Sequence, residues 1–187
     1  MQDTYSDLKR QAINELLATI GQDPIETLEN LPPAGNTALN TLDRITEELQ
    51  EQGYWFNLYP NYRLEPNTDG EILLSDTIIN IKENGGLYAR REGKLYDLSR
   101  QSFLFSQPVQ CTVVLRLSWD DLPPEARRYI IALSVEQFVE GFPSGAATAT
   151  ARARSLQRAK TAFTNAQIKA SGINLLNNAY ISQQITR

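Results

Sequence analysis

The chain has 187 residues, with 18 Lys and Arg, 22 Asp and Glu, one Cys and no His. The absence of histidine excludes Ser-His-Asp and Cys-His catalytic centres and His-ligated metal sites, and the lone Cys111 excludes an intrachain disulfide and a cysteine zinc cluster. A hydrophobic content of 41%, short apolar runs and no signal-peptide pattern predict one soluble domain with an ordinary core, made in a reducing compartment.

The formal net charge of −4 conceals a strong asymmetry along the chain. Residues 1–60 carry ten acids and three bases, and residues 61–140 carry twelve acids and nine bases. From Gly141 onward there is no acid, and the bases are Arg152, Arg154, Arg158, Lys160, Lys169 and Arg187. This polarity predicts an oppositely charged partner for the basic end: nucleic acid, an acidic protein surface, or the acidic N-terminal part of a neighbouring copy.

The first predicted element is a helix over residues 4–20. Its apolar residues recur every four positions, at Leu8, Ala12, Leu16 and Ile20. Gly21 and Pro24 end the helix. The following loop, residues 22–35, contains the apolar anchors Ile25 and Leu28, and its Leu-Pro-Pro-Ala-Gly run at 31–35 is predicted to break regular structure.

A second helix is predicted from about Thr37 to Gln52, ending at Gly53. Its apolar stripe consists of Leu39, Leu42, Ile45 and Leu49. Glu47, Glu48 and Glu51 lie on the other side and are typical of a solvated face.

Residues 54–117 change to short segments rich in β-branched and aromatic residues, separated by turn signals. The predicted strands are Trp55–Tyr59, Tyr62–Leu64, Glu71–Leu74, Thr77–Lys82, Leu87–Arg90, Lys94–Tyr96 and Val109–Leu117. Asn84-Gly85-Gly86 and Arg91-Glu92-Gly93 suit tight hairpin turns, because their residues tolerate positive φ. The pattern predicts a meandering antiparallel sheet, and the alternation around Val113 predicts one wetter face.

Two further helices follow. The first begins at the Asp121–Glu125 segment, where proline is tolerated, and runs to Gly141. The second is predicted from about Ala146 to Ser171, ending at Gly172. Its narrow seam of mostly small residues consists of Ala149, Ala153, Leu156, Ala159, Phe163, Ala166 and Ala170. The tail Ile173–Arg187 is too apolar for a disordered tail, so we expect it to be buried against its own subunit or a neighbour.

Few residues in the sequence suggest a catalytic or ligand-binding site. Asp120 and Asp121 are paired carboxylates of the kind that hydrolyse glycosides, but adjacent strand residues point to opposite faces, so Asp121 is predicted to cap the next helix. Asn67-Thr68-Asp69-Gly70 lacks the rest of a calcium loop and predicts a plain turn. Gly85-Gly86 does not make a phosphate loop, and Cys111 is predicted to be a buried small residue.

The basic alanine-rich helix admits two interpretations. Arg154 and Arg158 lie one turn apart, so they could contact phosphates. No aromatic interleaving or groove-reading motif accompanies them, so a protein contact is favoured over DNA.

Four motifs, in order, resemble the tail tubular protein A family of short-tailed bacteriophages. The first is Asn14-Glu-Leu-Leu-Ala-Thr-Ile-Gly-Gln-Asp-Pro24 with Ile25 and Thr27-Leu28-Glu29. The others are Gln52-Gly-Tyr-Trp-Phe-Asn57, Gly93-Lys-Leu-Tyr-Asp97, and Trp119-Asp-Asp-Leu-Pro123 with Arg128-Tyr129 and Phe138. They span residues 14–138, whereas the last long helix departs from the family in being purely basic.

The resemblance implies a structural virion protein at the head-to-tail junction, assembled in the host cytoplasm. It would form a dodecameric adaptor ring joining the portal protein to a tail nozzle protein similar to tail tubular protein B. DNA would pass through the lumen without sequence-specific binding. The implied fold class is α+β: a helical bundle with two N-terminal and two C-terminal helices, an inserted antiparallel β-domain and an extended C-terminal tail.

Within one adaptor domain, 1–187, we therefore expect N-terminal helices at 1–53, a β-region at 54–118, C-terminal helices at 119–172 and a tail at 173–187. No enzyme activity, cofactor, metal or membrane partner is expected. The predicted interface residues are Arg152, Arg154, Arg158, Lys160, Lys169, Ile173, Leu176, Tyr180, Ile181 and Ile185. The alternatives are a sequence-nonspecific DNA-binding module using the basic helix, and a cell-wall glycan hydrolase using Asp120 and Asp121.

Overall fold

The computed structural model describes residues 3–82, 88–142 and 148–176, and it describes only the backbone of residues 3–6 and 173–176. The helices of this part of the chain are α1 (Asp3–Thr19), α2 (Pro33–Glu51), α3 (Pro124–Glu140) and α4 (Ala149–Leu176). The strands are β1 (Leu58–Leu64), β2 (Ile78–Lys82), β3 (Tyr88–Arg91), β4 (Lys94–Asp97) and β5 (Val109–Leu115). Helices at both ends and antiparallel strands between them confirm the predicted α+β class.

The described residues form two compact units. One, the helical unit, contains the residues up to Glu47 and those from Ser118 onward. The other, the β-unit, is Glu48–Leu117 and includes the last residues of α2.

Two predicted helix boundaries were wrong, and in both the breaker residue was given too much weight. α2 begins at Pro33, inside the run expected to be irregular, because a proline in the first helical turn gives up only an N–H that has no helical partner. α4 continues through Gly172 to Leu176, because an interior glycine costs only ~1 kcal/mol. At the other end the Thr148 hydroxyl accepts the Ala151 N–H, as an N-cap does; the predicted start at Ala146 lies outside the described residues.

The core of the helical unit is built by the predicted apolar stripes. Its buried side chains include Leu16 of α1, Leu42 of α2, Ile130 of α3 and Phe163 of α4. A Lys9–Asp43 ion pair of 2.7 Å joins α1 to α2.

The strands of the β-unit do not form the predicted meander. Three strands are antiparallel in the order β1-β5-β2, and β3 pairs with β4 in a separate hairpin. Glu71–Leu74 contributes only isolated bridges to Leu104 and Lys94. The predicted hairpin turn is confirmed at Glu92 and Gly93, which have φ of 52° and 73°, whereas Asn84-Gly85-Gly86 lies outside the described residues.

The central position of β5 explains why its alternation is incomplete. Cys111 and Val113 are buried in an apolar cluster with Leu64, Ile72 and Leu95, which confirms the buried role of Cys111. Val114 on the opposite side of the strand is also fully buried. This second face is covered at Val114, where Gly53 and Leu58 lie close by. Gln110 and Arg116 on the same side are exposed, so the predicted wetter face is present except at Val114.

Candidate interaction surfaces of the helical unit

α4 is held against α3 by part of the predicted seam. Phe163 is buried, and its ring lies 5.0 Å from that of Tyr129, centroid to centroid. The seam residues Leu156, Ala159, Ala166 and Ala170 are half-buried, whereas Ala149 and Ala153 are exposed. The seam therefore packs from the second turn of α4 onward, and its first two members face solvent.

The predicted basic residues of α4 do not share one environment. Arg152 is half-buried, and its Nε lies 3.7 Å from Glu136 Oε1 of α3. Arg154, Arg158, Lys160 and Lys169 are exposed, and no ion pair with another described residue is found for them.

The four exposed cations occupy two different sides of α4. At about 100° per residue, Arg154, Arg158 and Lys169 fall on one stripe opposite Phe163, and Lys160 projects from a flank. Ile168, which is 61% exposed, lies between Lys160 and that stripe. The sequence pattern did not single out this isoleucine, because it does not fit the alanine seam.

Most of the predicted C-terminal interface residues have no described side chain. Ile173 and Leu176 belong to the last turns of α4, where the backbone alone is described. Tyr180, Ile181 and Ile185 lie outside the described residues.

A groove of about 700 Å³ lies between α1, α3 and α4. Its walls carry many alanines and the half-buried Ile131 and Val135 of α3, and its polar rim includes the side chains of Glu15, Arg128, Arg152 and Arg158. Arg128 and Arg158 make no ion pair within the described residues.

The sequence pattern pointed to Arg152 and Arg158 but not to the groove. The one available signal was the repeated alanine on α1, α3 and α4, which leaves space between helices.

Glu15 is the acid that lines this groove. Protein atoms around its carboxyl raise the pKa of Glu15 above the usual value by desolvation, although the side chain keeps contact with solvent. The neutral form of Glu15 is therefore favoured relative to a free glutamate.

An acidic segment follows α1. The side chain of Asn14 makes two hydrogen bonds with the backbone of Ile25. Its Nδ2 donates to the Ile25 carbonyl at 3.1 Å, and its Oδ1 accepts the Ile25 N–H at 2.7 Å. Asp23, Glu26 and Glu29 are exposed around this anchor, without an ion pair to any residue that the structure describes. We call residues 22–31 the acidic loop.

The two carboxylates of the glycan-hydrolase hypothesis have different surroundings: Asp121 makes a local hydrogen bond, whereas Oδ1 of Asp120 is buried without one among the described residues. Asp120 and Asp121 lie in a 3-10 turn, Trp119–Asp121, and not on a strand. Asp121 accepts the Ser118 hydroxyl at 2.7 Å and does not cap α3, whose N-cap is Pro123 without a side-chain cap. The predicted cap was wrong because the Pro123-Pro124 pair occupies the start of the helix. Desolvation raises the pKa of Asp120, against the opposing effect of Arg127.

The other local predictions concern the β-unit. The Asn67–Gly70 turn is confirmed: Asn67 Oδ1 accepts the N–H groups of Asp69 and Glu71.

Within residues 3–82, 88–142 and 148–176, no group of three acidic or cysteine side chains is arranged to hold a metal ion. None of the described helices has the length and apolar character needed to cross a membrane.

Comparison with known proteins gives one consistent result. The family profile described as tail tubular protein matches residues 10–173, from α1 to α4. The chain is also 30% identical to tail tubular protein A of Klebsiella phage KP34 over 128 residues, which are 67% of this chain and 68% of that protein.

Proposed function

Because the chain belongs to the tail tubular protein family, and is therefore a structural protein of a phage tail, we propose that its copies form an adaptor ring. The ring joins the portal protein to the tail nozzle of a short-tailed phage and surrounds the path of the ejected DNA. The family match over residues 10–173 is the observation that carries this proposal.

The charge distribution supports assembly of like copies. A ring needs two different complementary surfaces on each subunit, since every copy meets its neighbours head to tail. This chain carries its excess of acid before residue 60 and its acid-free basic end after residue 140. Such a polarity lets the basic end of one copy face the acidic part of the next.

The exposed cations of α4 support a role in contacts with partners. Arg154, Arg158, Lys160 and Lys169 make no ion pair with other described residues, and Ile168 adds apolar surface among them. We assign these side chains, with the segment Ile173–Arg187, to contacts with a neighbouring copy or the portal. Arg152, whose Nε lies 3.7 Å from Glu136 Oε1, is assigned to the same contacts.

The adaptor function requires no catalytic step from the chain. The DNA inside the ring would be contained and not read, since no groove-reading element accompanies the cations of α4. A dodecameric stoichiometry follows from the family resemblance alone.

Solution mass tests the proposal. We expect the purified chain, mixed with assembled portal, to give a single complex whose mass corresponds to one ring of this chain per portal, as read by native mass spectrometry. The same chain mixed with tail nozzle protein alone is the control for the order of assembly. A portal that gains no mass would disprove the adaptor function.

A further inference from the structure

We propose that the groove between α1, α3 and α4 receives the acidic loop of a neighbouring copy. This inference rests on the proposed ring, and it names the two surfaces that meet between adjacent subunits. Both surfaces belong to the helical unit, so each copy carries one groove and one loop.

The groove has the chemistry of an acceptor for an acidic, partly apolar segment. Its volume of about 700 Å³ and its alanine-rich walls offer apolar surface to a chain segment. Arg152 is matched by Glu136, but Arg128 and Arg158 are unmatched within the described residues. These two arginines outnumber the one acid of the lining, Glu15. These two guanidinium groups lie on the rim of the groove, and they can each bind a carboxylate in a bidentate pair.

The acidic loop has the chemistry of the ligand. Asp23, Glu26 and Glu29 project into solvent, while Ile25 and Leu28 supply apolar surface between the carboxylates. The two Asn14 hydrogen bonds hold the middle of the loop. A pre-ordered loop loses less conformational entropy on binding than a free one.

The positions of the two surfaces on α1 suit a head-to-tail contact. Arg10 and Asn14 face the loop: the Arg10 guanidinium lies 3.5 Å from the Ile25 carbonyl. Glu15 and Thr19 line the groove. At about 100° per residue, the two pairs of residues are separated by roughly 140° around the helix axis. The loop of one copy can therefore enter the groove of the next while its own groove stays open to a third, which generates a ring or a filament.

Charge reversal tests the pairing. The variant Arg128→Glu/Arg158→Glu and the variant Glu26→Lys/Glu29→Lys are each expected to lose the ring mass on portal, because like charges then face each other. The combined four-residue variant is expected to regain it. Circular dichroism and the urea midpoint verify that each variant folds. Failure of a folded combined variant to regain the ring would overturn the pairing.

Arg63→Glu/Arg91→Glu provides a control with the same change in net charge. Both arginines are exposed in the β-unit; Arg63 pairs with the exposed Glu65, and Arg91 lies over the ring of Tyr96. We expect this variant to keep the ring mass. Loss of the ring in the control as well would attribute the effect to overall charge and contradict the specific contact.

Cross-linking tests proximity directly. Cysteines introduced by Glu26→Cys and Arg158→Cys in one chain should be joined between copies by a short bis-maleimide, giving a ladder of multiples in portal-attached rings. Cys111 is buried, so the parent chain supplies the background. A normal ring mass without the ladder would overturn the groove contact and leave the adaptor function standing. A parent chain that forms no ring on portal would overturn both, and a cross-link from Glu26→Cys to the portal would assign the loop to that partner instead.

Discussion

The side chain of Gln50 pairs with the backbone of Leu117 as a neighbouring strand would. Its Oε1 accepts the Leu117 N–H at 2.7 Å, and its Nε2 donates to the Leu117 carbonyl at 3.2 Å. Gln50 is 1% exposed and lies 67 residues from Leu117 in the chain. Asn57 reinforces the same junction, since its Nδ2 donates to the carbonyls of Gln50 and Leu115. The end of α2 is thus joined to the end of the β5 segment inside the β-unit.

We predict that Gln50→Ala lowers the free energy of unfolding by about 2–4 kcal/mol. The change removes two hydrogen bonds and leaves the Leu117 N–H and carbonyl without this partner. Urea unfolding followed by circular dichroism measures the loss. Gln11→Ala, at an exposed position of α1, is the control and should change the value by less than about 0.5 kcal/mol. An equal loss of unfolding free energy in the two variants would show that the Gln50–Leu117 hydrogen bonds do not stabilise the fold.

Gly53→Ala is predicted to be much more harmful than Gly21→Ala. Both glycines have positive φ, 69° and 72°, so an alanine costs about 1–2 kcal/mol of backbone strain at either position. A Cβ at Gly53 would also lie 2.8 Å from Val114 Cγ2, whereas one at Gly21 meets nothing within 4 Å. Urea midpoints of the two variants give the difference directly. A Gly53→Ala protein as stable as Gly21→Ala would show that the contact relaxes freely.

Glu15 makes the stability of the helical unit depend on pH in a defined direction. Its folded-state pKa is raised by desolvation, so the folded protein binds this proton more tightly than the unfolded chain does. The resulting stabilisation is present below the unfolded pKa and is lost as the pH rises through the folded value. Glu15→Gln should therefore raise the unfolding midpoint at pH 7 and bring little gain at pH 4, relative to the parent. If the midpoint gain of Glu15→Gln grew as the pH falls, the result would contradict a pKa of Glu15 that is raised on folding.

Deletion of Ile173–Arg187 is predicted to weaken attachment to portal while the body stays folded. Phe163 and its contact with Tyr129 lie well before the cut, so α4 keeps its anchor. The deletion removes the last helical residues of α4 and an apolar segment that we assign to partner contacts. Portal binding by mass photometry and the thermal midpoint together separate these effects. Unchanged portal affinity of the truncated chain would exclude the tail from that interface.

The DNA-binding alternative gives a distinct salt dependence. Phosphate contacts by Arg154, Arg158 and Lys169 would make log K fall with log salt at a slope of about −2.7, and Arg154→Ala or Arg158→Ala would each reduce that slope by ~0.9. We expect instead no measurable binding of duplex DNA by fluorescence anisotropy at physiological salt. A steep titration that both alanine variants flatten would favour the DNA-binding module.

The motifs that carried the family resemblance prove to be structural. Asn14 holds Ile25, Gly53 provides the close approach to Val114, and Asp97 accepts the N–H groups of Ser99 and Arg100. These contacts join residues that are mostly distant in sequence or need special backbone angles. The residue types and spacing of these motifs indicated the family, but nothing in the local sequence indicated what each side chain touches.

Local sequence determined the helices, the hairpin turn at Glu92-Gly93 and the polarity of charge, because these depend on residue spacing, on φ preferences and on composition. The missing histidine likewise excludes several catalytic centres by composition alone. Only the tertiary structure decided that β5 is central, that Arg152 pairs with Glu136, and that alanines of three helices surround a groove. These features depend on which distant segments pack together with the lowest free energy, and a pattern read along a single segment does not contain that information.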